Sequence, residues 1–254
     1  MRRFFLSLVW LVLLSACAAV PPTPRKIALL APFEGQYREI GYEALYAAQL
    51  GVQGYSGPST YIILPLDDGG TEATARERAR ALTFDSSIVF VLALGPYATT
   101  PEVQAAYGDL PVLMVGYWPS IPQRDTIAAL TADLRDVLPS PADPGLYPGD
   151  GLIGAELLSL PQFDAREGCT VWSSARLIDD AFTARYAAMN QFAPPPRLIT
   201  PLVYDAVEIA METVRQSIPV RSVEIKGMGG DIAFDENGYW REAEVYQYGC
   251  GDNR

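Results

Sequence analysis

Ile27-Ala28-Leu29-Leu30-Ala31-Pro32-Phe33-Glu34-Gly35, with Ile40-Gly41 shortly after, is the stretch on which the fold turns. An aliphatic run without alternation, closed by a proline and a glycine turn, is the pattern of a strand buried on both faces. The residues that follow, Gln36–Gln53, have helical composition. The same alternation recurs downstream. Tyr61–Leu66, Ile88–Leu94 and Pro111–Gly116 are further compact runs, separated by the helix-like Thr71–Phe84 and Thr100–Tyr107. Buried strands joined by crossover helices predict an α/β fold, a parallel sheet with helices on both faces.

Beyond Trp118 the character changes. Six prolines between Pro119 and Pro148 interrupt any regular element. Asp150–Ser159 and Cys169–Ser173 read as strands, and Ile178–Phe192 as a helix. The clearest helix is Pro201–Ile218, with Thr200 as N-cap and an apolar stripe through Val203, Val207, Ala210, Met211, Val214 and Ile218. Asp205 in its first turn reads as structural. Asp231–Phe234 and Glu242–Tyr248 flank Asp235-Glu236-Asn237-Gly238, a hairpin signature.

The amino terminus speaks to location. Arg2 and Arg3 precede an apolar run, Phe4–Leu14, too short to span a bilayer and suited to the core of a secretory signal. Leu14-Ser15-Ala16-Cys17 resembles the bacterial lipobox. That resemblance implies removal of residues 1–16 and lipidation of Cys17, with residues 17–25 as a tether to an extracytoplasmic domain; the plainer alternative is an ordinary signal peptide with a chance cysteine. In an oxidising compartment the remaining Cys169 and Cys250 either form a disulfide or stay as two buried thiols.

Composition excludes several chemistries. The 254 residues contain no histidine, which removes histidine-dependent triads and the HExxH zinc site. The net charge of −11 would repel a phosphate backbone, so nucleic acid is excluded as a partner. Gly227-Met228-Gly229-Gly230 lacks the context of a dinucleotide loop, and Asp235–Gly238 lacks the alternating ligands of a calcium loop. No carboxylate pair stands out for catalysis. The chain therefore reads as a non-enzyme, with no metal and no cofactor implied.

Several segments, in order, resemble the type I periplasmic binding proteins, especially the Leu/Ile/Val-binding branch of ABC-importer receptors. They are Ile27–Gly35 with Ile40-Gly41, Asp67-Asp68-Gly69-Gly70, Leu94-Gly95-Pro96-Tyr97-Ala98-Thr99-Thr100, Leu110-Pro111-Val112, Phe182 with Tyr186, Tyr204-Asp205-Ala206, and Phe234-Asp235 with Gly238. The family is two-lobed. Only residues 119–181 separate Trp118 from Phe182, so the resemblance implies a second lobe that is small or truncated. The implied organisation is a first α/β lobe over 26–118, a reduced second lobe and crossover over 119–200, and a C-terminal helix and strands over 201–254 that return toward the first lobe. The implied function is capture of a small polar ligand, such as an amino acid, for presentation to a membrane permease. The alternative is a non-transport interaction module of the same fold, like the penicillin-binding-protein activator lipoproteins that regulate a cell-envelope enzyme.

In an open α/β sheet, ligands bind beyond the carboxyl ends of the strands. This selects Glu34, Gln36, Tyr37 and Arg38, then Asp67 and Asp68, then Tyr97, Ala98, Thr99 and Thr100, and finally Tyr117 and Trp118. Aromatic rings supply area, threonine hydroxyls and loop amides supply polar direction, and Arg38 suits an anion. In the family, hydroxyls and amides of two loops pin an amino-acid carboxylate; Thr99 and Thr100 fit the first, whereas Tyr117-Trp118 make the second bulky. Each position also has a structural alternative. Asp67 and Asp68 suit a helix start, Glu34 and Arg38 a solvated pair, and Tyr117 and Trp118 a cap over the sheet.

Overall fold

The computed structural model describes residues 24–118, 120–135 and 170–249. Cys17, Cys169, Cys250 and the strand expected at Asp150–Ser159 lie outside them. Five parallel strands form the main sheet: β1 (Arg25–Ala31), β2 (Tyr61–Asp67), β3 (Ile88–Ala93), β4 (Val112–Val115) and β5 (Ile127–Leu130), in the order β2-β1-β3-β4-β5. The helices are α1 (Arg38–Gln53), α2 (Glu72–Leu82), α3 (Gly95–Ala98), α4 (Pro101–Ala106), α5 (Asp180–Met189) and α6 (Ile199–Gln216).

Alternate strand residues face two cores. Ile27, Leu29, Leu92, Leu113 and Leu130 pack with Ile40, Ala44 and Ala47 of α1 and with Val203, Ala206 and Val207 of α6. Ala28, Leu30, Val91, Met114 and Ile127 pack on the other face with Ala75 and Ala79 of α2 and Val103 of α4. Helices on both faces explain why the strands show no polar alternation.

The sheet runs past Trp118, where the sequence reading closed the first lobe. β5 is four residues long, wholly buried, and bounded by Thr126 and Thr131. A strand so short leaves little pattern among prolines. Its outer side is covered by the Gly238–Trp240 segment: Ala129 N–H donates to the Gly238 carbonyl at 2.7 Å and Trp240 N–H to that of Thr131 at 3.0 Å.

Helix α6 begins at Ile199, and its N-cap position is Leu198 rather than the expected Thr200. The Thr200 hydroxyl instead donates to the buried Glu43 carboxylate of α1, which also accepts the backbone N–H groups of Arg197 at 2.8 Å and Thr200 at 3.2 Å. One carboxylate thus serves the first turn of a distant helix, as an N-cap would.

Toward the C-terminus, Asp235–Gly238 forms the expected turn, and Phe234 bridges Trp240 across it. The predicted hairpin partner is corrected. Strand β9 (Tyr246–Gly249) pairs antiparallel with β6 (Thr170–Ser173), Thr170 standing opposite Gly249. A separate hairpin joins β7 (Ile225–Gly227) to β8 (Gly230–Ile232) through Met228-Gly229. Asp205 holds that turn by accepting the N–H groups of Met228 at 2.9 Å and Gly229 at 3.3 Å, which agrees with its structural reading.

Candidate functional site

The strand order reverses between β1 and β3, so their outgoing connections leave on opposite faces and open a crevice at the carboxyl ends. The loop Pro32–Tyr37 lines one side and the segment Gly95–Thr100 the other. Two glycines set how closely these parts meet. A Cβ on Gly41 would lie 2.0 Å from the Pro32 carbonyl oxygen. Gly95 has φ +95°, and a Cβ there would lie 2.9 Å from Pro32 Cδ. Any larger residue would push the loops apart.

Asp67 fixes the first loop. One carboxylate oxygen accepts the N–H groups of Phe33 at 2.7 Å and Glu34 at 3.1 Å, while the other accepts that of Gly69 at 2.9 Å. Asp68 is fully buried; its Oδ1 accepts the Gly70 N–H at 2.8 Å, and its Oδ2 has no partner. Burial raises its carboxyl to about 6; the Gly70 bond lowers it and the neighbouring Asp67 charge raises it further. Both aspartates therefore shape the loops, Asp68 wholly from below and Asp67 from a half-buried position with both oxygens engaged.

The second side is similarly committed inward. The Thr99 hydroxyl donates to the Gly95 carbonyl at 2.9 Å, and Ala98 is buried with its carbonyl accepting from Tyr107 Oη at 2.9 Å. Gln104 ties Thr99 to the next loop, donating to the carbonyls of Thr99 and Ile121 at 2.8 and 2.9 Å. The Thr100 hydroxyl is buried and unpartnered at the start of α4. Tyr37 packs into the core, and Trp118 is 3% exposed with its indole N–H donating to the Val115 carbonyl at 2.7 Å. Glu34, Gln36 and Arg38 are exposed, and Tyr97 and Tyr117 are half-buried. Glu34 and Arg38 form no ion pair among the described residues. Of the expected site residues, Glu34, Gln36 and Arg38 thus stand exposed at the crevice, and Asp67, Tyr97, Thr100 and Tyr117 reach solvent in part.

Three residues escaped the sequence reading because β5 did. The loop after that strand brings Asp133 and Arg135 near Tyr117, and Tyr239 joins them from the C-terminal segment. Arg135 Nε donates to Asp133 at 2.8 Å, and its guanidinium carbon lies 5.5 Å from the Tyr239 ring centre. Burial raises the Tyr117 phenol, Asp133 adds to that, and Arg135 opposes it. The clue in the sequence was Ile127–Leu130, since a strand there places residues 131–135 at the same end of the sheet. Ser174 joins this loop to β6, accepting the Ala132 N–H at 2.9 Å.

Among the described residues there is no group of three or more His, Cys, Asp or Glu side chains placed to hold a metal. No helix among them is long and apolar enough to cross a membrane. A cavity of about 230 Å³ reaches this end through Arg135 and Tyr239. A larger one, about 750 Å³, lies at the opposite end of the sheet beside Arg25, Ile88 and Ile218. The arrangement at the carboxyl ends is suited to holding a small molecule against tyrosine rings and a guanidinium.

No protein-family model and no curated protein matches the chain. Solved structures do. A solute-binding protein of an ABC transporter from R. palustris, in complex with benzoate, is 12% identical with a TM-score of 0.62 over 91% of this chain and 94% of that one. The branched-chain amino acid transporter substrate-binding protein LivJ from Streptococcus pneumoniae, in complex with isoleucine, is 14% identical with a TM-score of 0.63 over 91% and 97%. The leucine-binding protein LivK from Thermotoga maritima is 13% identical with a TM-score of 0.61 over 88% and 94%. With its parallel five-stranded sheet, flanking helices and this structural likeness, the chain has the fold of the type I periplasmic binding proteins.

Proposed function

We propose that the protein is an extracytoplasmic solute-binding protein, anchored through a lipid on Cys17, that captures a small polar ligand and delivers it to the permease of an ABC importer. The observation that carries this reading is the crevice where β1 and β3 part, with Arg38 exposed beside it and unpaired among the described residues. An exposed guanidinium at the same end of the sheet as half-buried tyrosines favours a carboxylate-bearing solute of amino-acid size. The role is binding without catalysis.

The test is thermal unfolding of the purified protein against amino acids, aromatic carboxylates, small peptides, nucleosides and sugars. A ligand at about 100 times its Kd adds roughly 2.7 kcal/mol, a shift on the order of 5–10 °C for a chain of this size. A shift confined to carboxylate-bearing solutes supports the receptor; a flat screen refutes it. The anchor is tested separately by the intact mass of protein extracted from membranes, which should begin at Cys17 and carry a diacylglycerol.

A second reading is favoured by one observation: much of the polar inventory of the crevice is turned inward, including the Thr99 hydroxyl and the Trp118 indole. Such a surface suits contact with another protein, as in a lipoprotein that regulates a cell-envelope enzyme. Recovery of cell-wall enzymes instead of permease subunits in a pull-down from solubilised membranes supports this reading over the first.

A further inference from the structure

A cavity of about 350 Å³ lies at the far end of α1, where that helix meets the outward side of α6. Sixteen helical residues separate it from the crevice, a distance of more than about 20 Å. Its walls include Gly54, Tyr55, Tyr204, Glu208, Met211 and Arg215.

The charges at this wall are unevenly paired. Glu212 is held by Arg215, whose Nε donates to it at 2.7 Å, and by Gln216. Arg215 is therefore committed. Glu208, one turn earlier on α6, is exposed and has neither a hydrogen bond nor an ion pair among the described residues. Partial burial raises its carboxyl, and the Glu212 charge raises it again. Like charges at this helical spacing repel; with Arg215 spent on Glu212, Glu208 is the carboxylate here left to meet a positive charge arriving at the cavity.

The remaining walls are suited to an organic cation. Tyr204 is braced edge-on by Phe182, with ring centres 5.3 Å apart; the Arg185 guanidinium, 5.3 Å from the Phe182 centre and 5.9 Å from that of Tyr204, is shared between the two rings. Tyr55 is braced edge-on by Tyr61 at 5.2 Å, and its hydroxyl has no partner. Tyrosine rings and a polarisable thioether attract a soft, weakly hydrated cation. A single carboxylate is a poor site for a hard metal ion, which takes six or more oxygen ligands. An anion would face Glu208 with Arg215 already engaged.

We infer that this cavity binds a small organic cation of the alkylammonium class, with Glu208 supplying the charge and Tyr55, Tyr204 and Met211 the surface. It is separate from the solute site proposed at the crevice, and neither depends on the other.

The test is an NMR titration of the purified protein with tetramethylammonium chloride, compared with sodium chloride at equal ionic strength and with the uncharged, similarly branched neopentyl alcohol. Saturable shifts localised to Tyr55, Tyr204 and the Met211 methyl are expected with the ammonium alone. Glu208→Gln, at an exposed position, should weaken binding about tenfold, as expected for loss of one charge-assisted contact. Gly54→Leu, whose Cβ would point toward the Tyr204 hydroxyl 3.6 Å away, should abolish it by filling the cavity. Absence of saturable binding, equal binding of neopentyl alcohol, or wild-type affinity in Glu208→Gln each overturns the inference.

Discussion

Replacing Glu43 by alanine removes the acceptor on which the entry to α6 depends. The Thr200 hydroxyl loses its acceptor, and the N–H groups of Arg197 and Thr200 lose the carboxylate and keep only the Thr200 hydroxyl oxygen at 3.1 Å and the Arg197 carbonyl at 3.2 Å. Glu43 and Thr200 are buried, so water does not replace the lost acceptor freely. A buried donor left unpaired costs about 1–3 kcal/mol, and two N–H groups reduced to their second acceptor add to this less than fully. A loss of about 2–4 kcal/mol is expected, a large part of a stability that for most proteins totals about 5–15 kcal/mol. In a thermal melt this is a fall of roughly 10 °C. Glu43→Gln keeps one acceptor oxygen without the charge and should cost less than half as much. Glu77→Ala, an exposed change on α2, serves as the control and should stay within about 0.5 kcal/mol of wild type. Equal melting temperatures for Glu43→Ala and the control would refute the assignment of this carboxylate as the cap of α6.

Asp68 and Asp205 both have carboxyls raised to about 6, chiefly by burial. Their contribution to stability is therefore complete below the unfolded value of 3.8 and is lost as pH rises through about 6, so denaturant melts should weaken over that interval and Asp68→Asn should flatten the slope. Trp118→Ala should lower stability by about 3–5 kcal/mol whether or not a solute is present, whereas Arg38→Ala should leave the melt unchanged and remove binding of a carboxylate solute; the reverse pattern would misplace the site. Cys169 directly precedes Thr170 and Cys250 directly follows Gly249, and Thr170 and Gly249 face one another in the β6–β9 ladder. We expect them to be bonded, so that the unreduced protein resists alkylation and reduction costs about 4–5 kcal/mol, the chain-entropy value for a loop this long; two alkylatable thiols in the native protein would refute it.

Strands β1, β3 and β4 were legible because each is a continuous aliphatic run between helical segments, and burial on two faces leaves just that trace; β2, at the sheet edge, keeps an aliphatic run although it is mostly half-buried. β5 was not, since Ile127-Ala128-Ala129-Leu130 is too short to show a period and lies among prolines. The carboxyl ends were locatable from strand order alone, but not which side chains would turn outward there. Thr99 and Trp118 have the right chemistry for a ligand and spend it on the carbonyls of Gly95 and Val115. Glu43 carried no signal, because its role depends on contacts more than 150 positions away along the chain. Residue type reveals a capacity; only the packing decides to whom it is offered.

The β6–β9 ladder also dictates an order of events. Ser173 finds its partner at Tyr246, 73 positions later, so the pairing waits until nearly the whole chain is present. The five-stranded sheet needs only residues up to Leu130 for its strands, yet one of its faces waits for α6. A chain threaded amino end first across a membrane would therefore emerge with strands β1 to β5 collected but one face open, and would need to be shielded until residues 199–216 arrived as α6 to cover it.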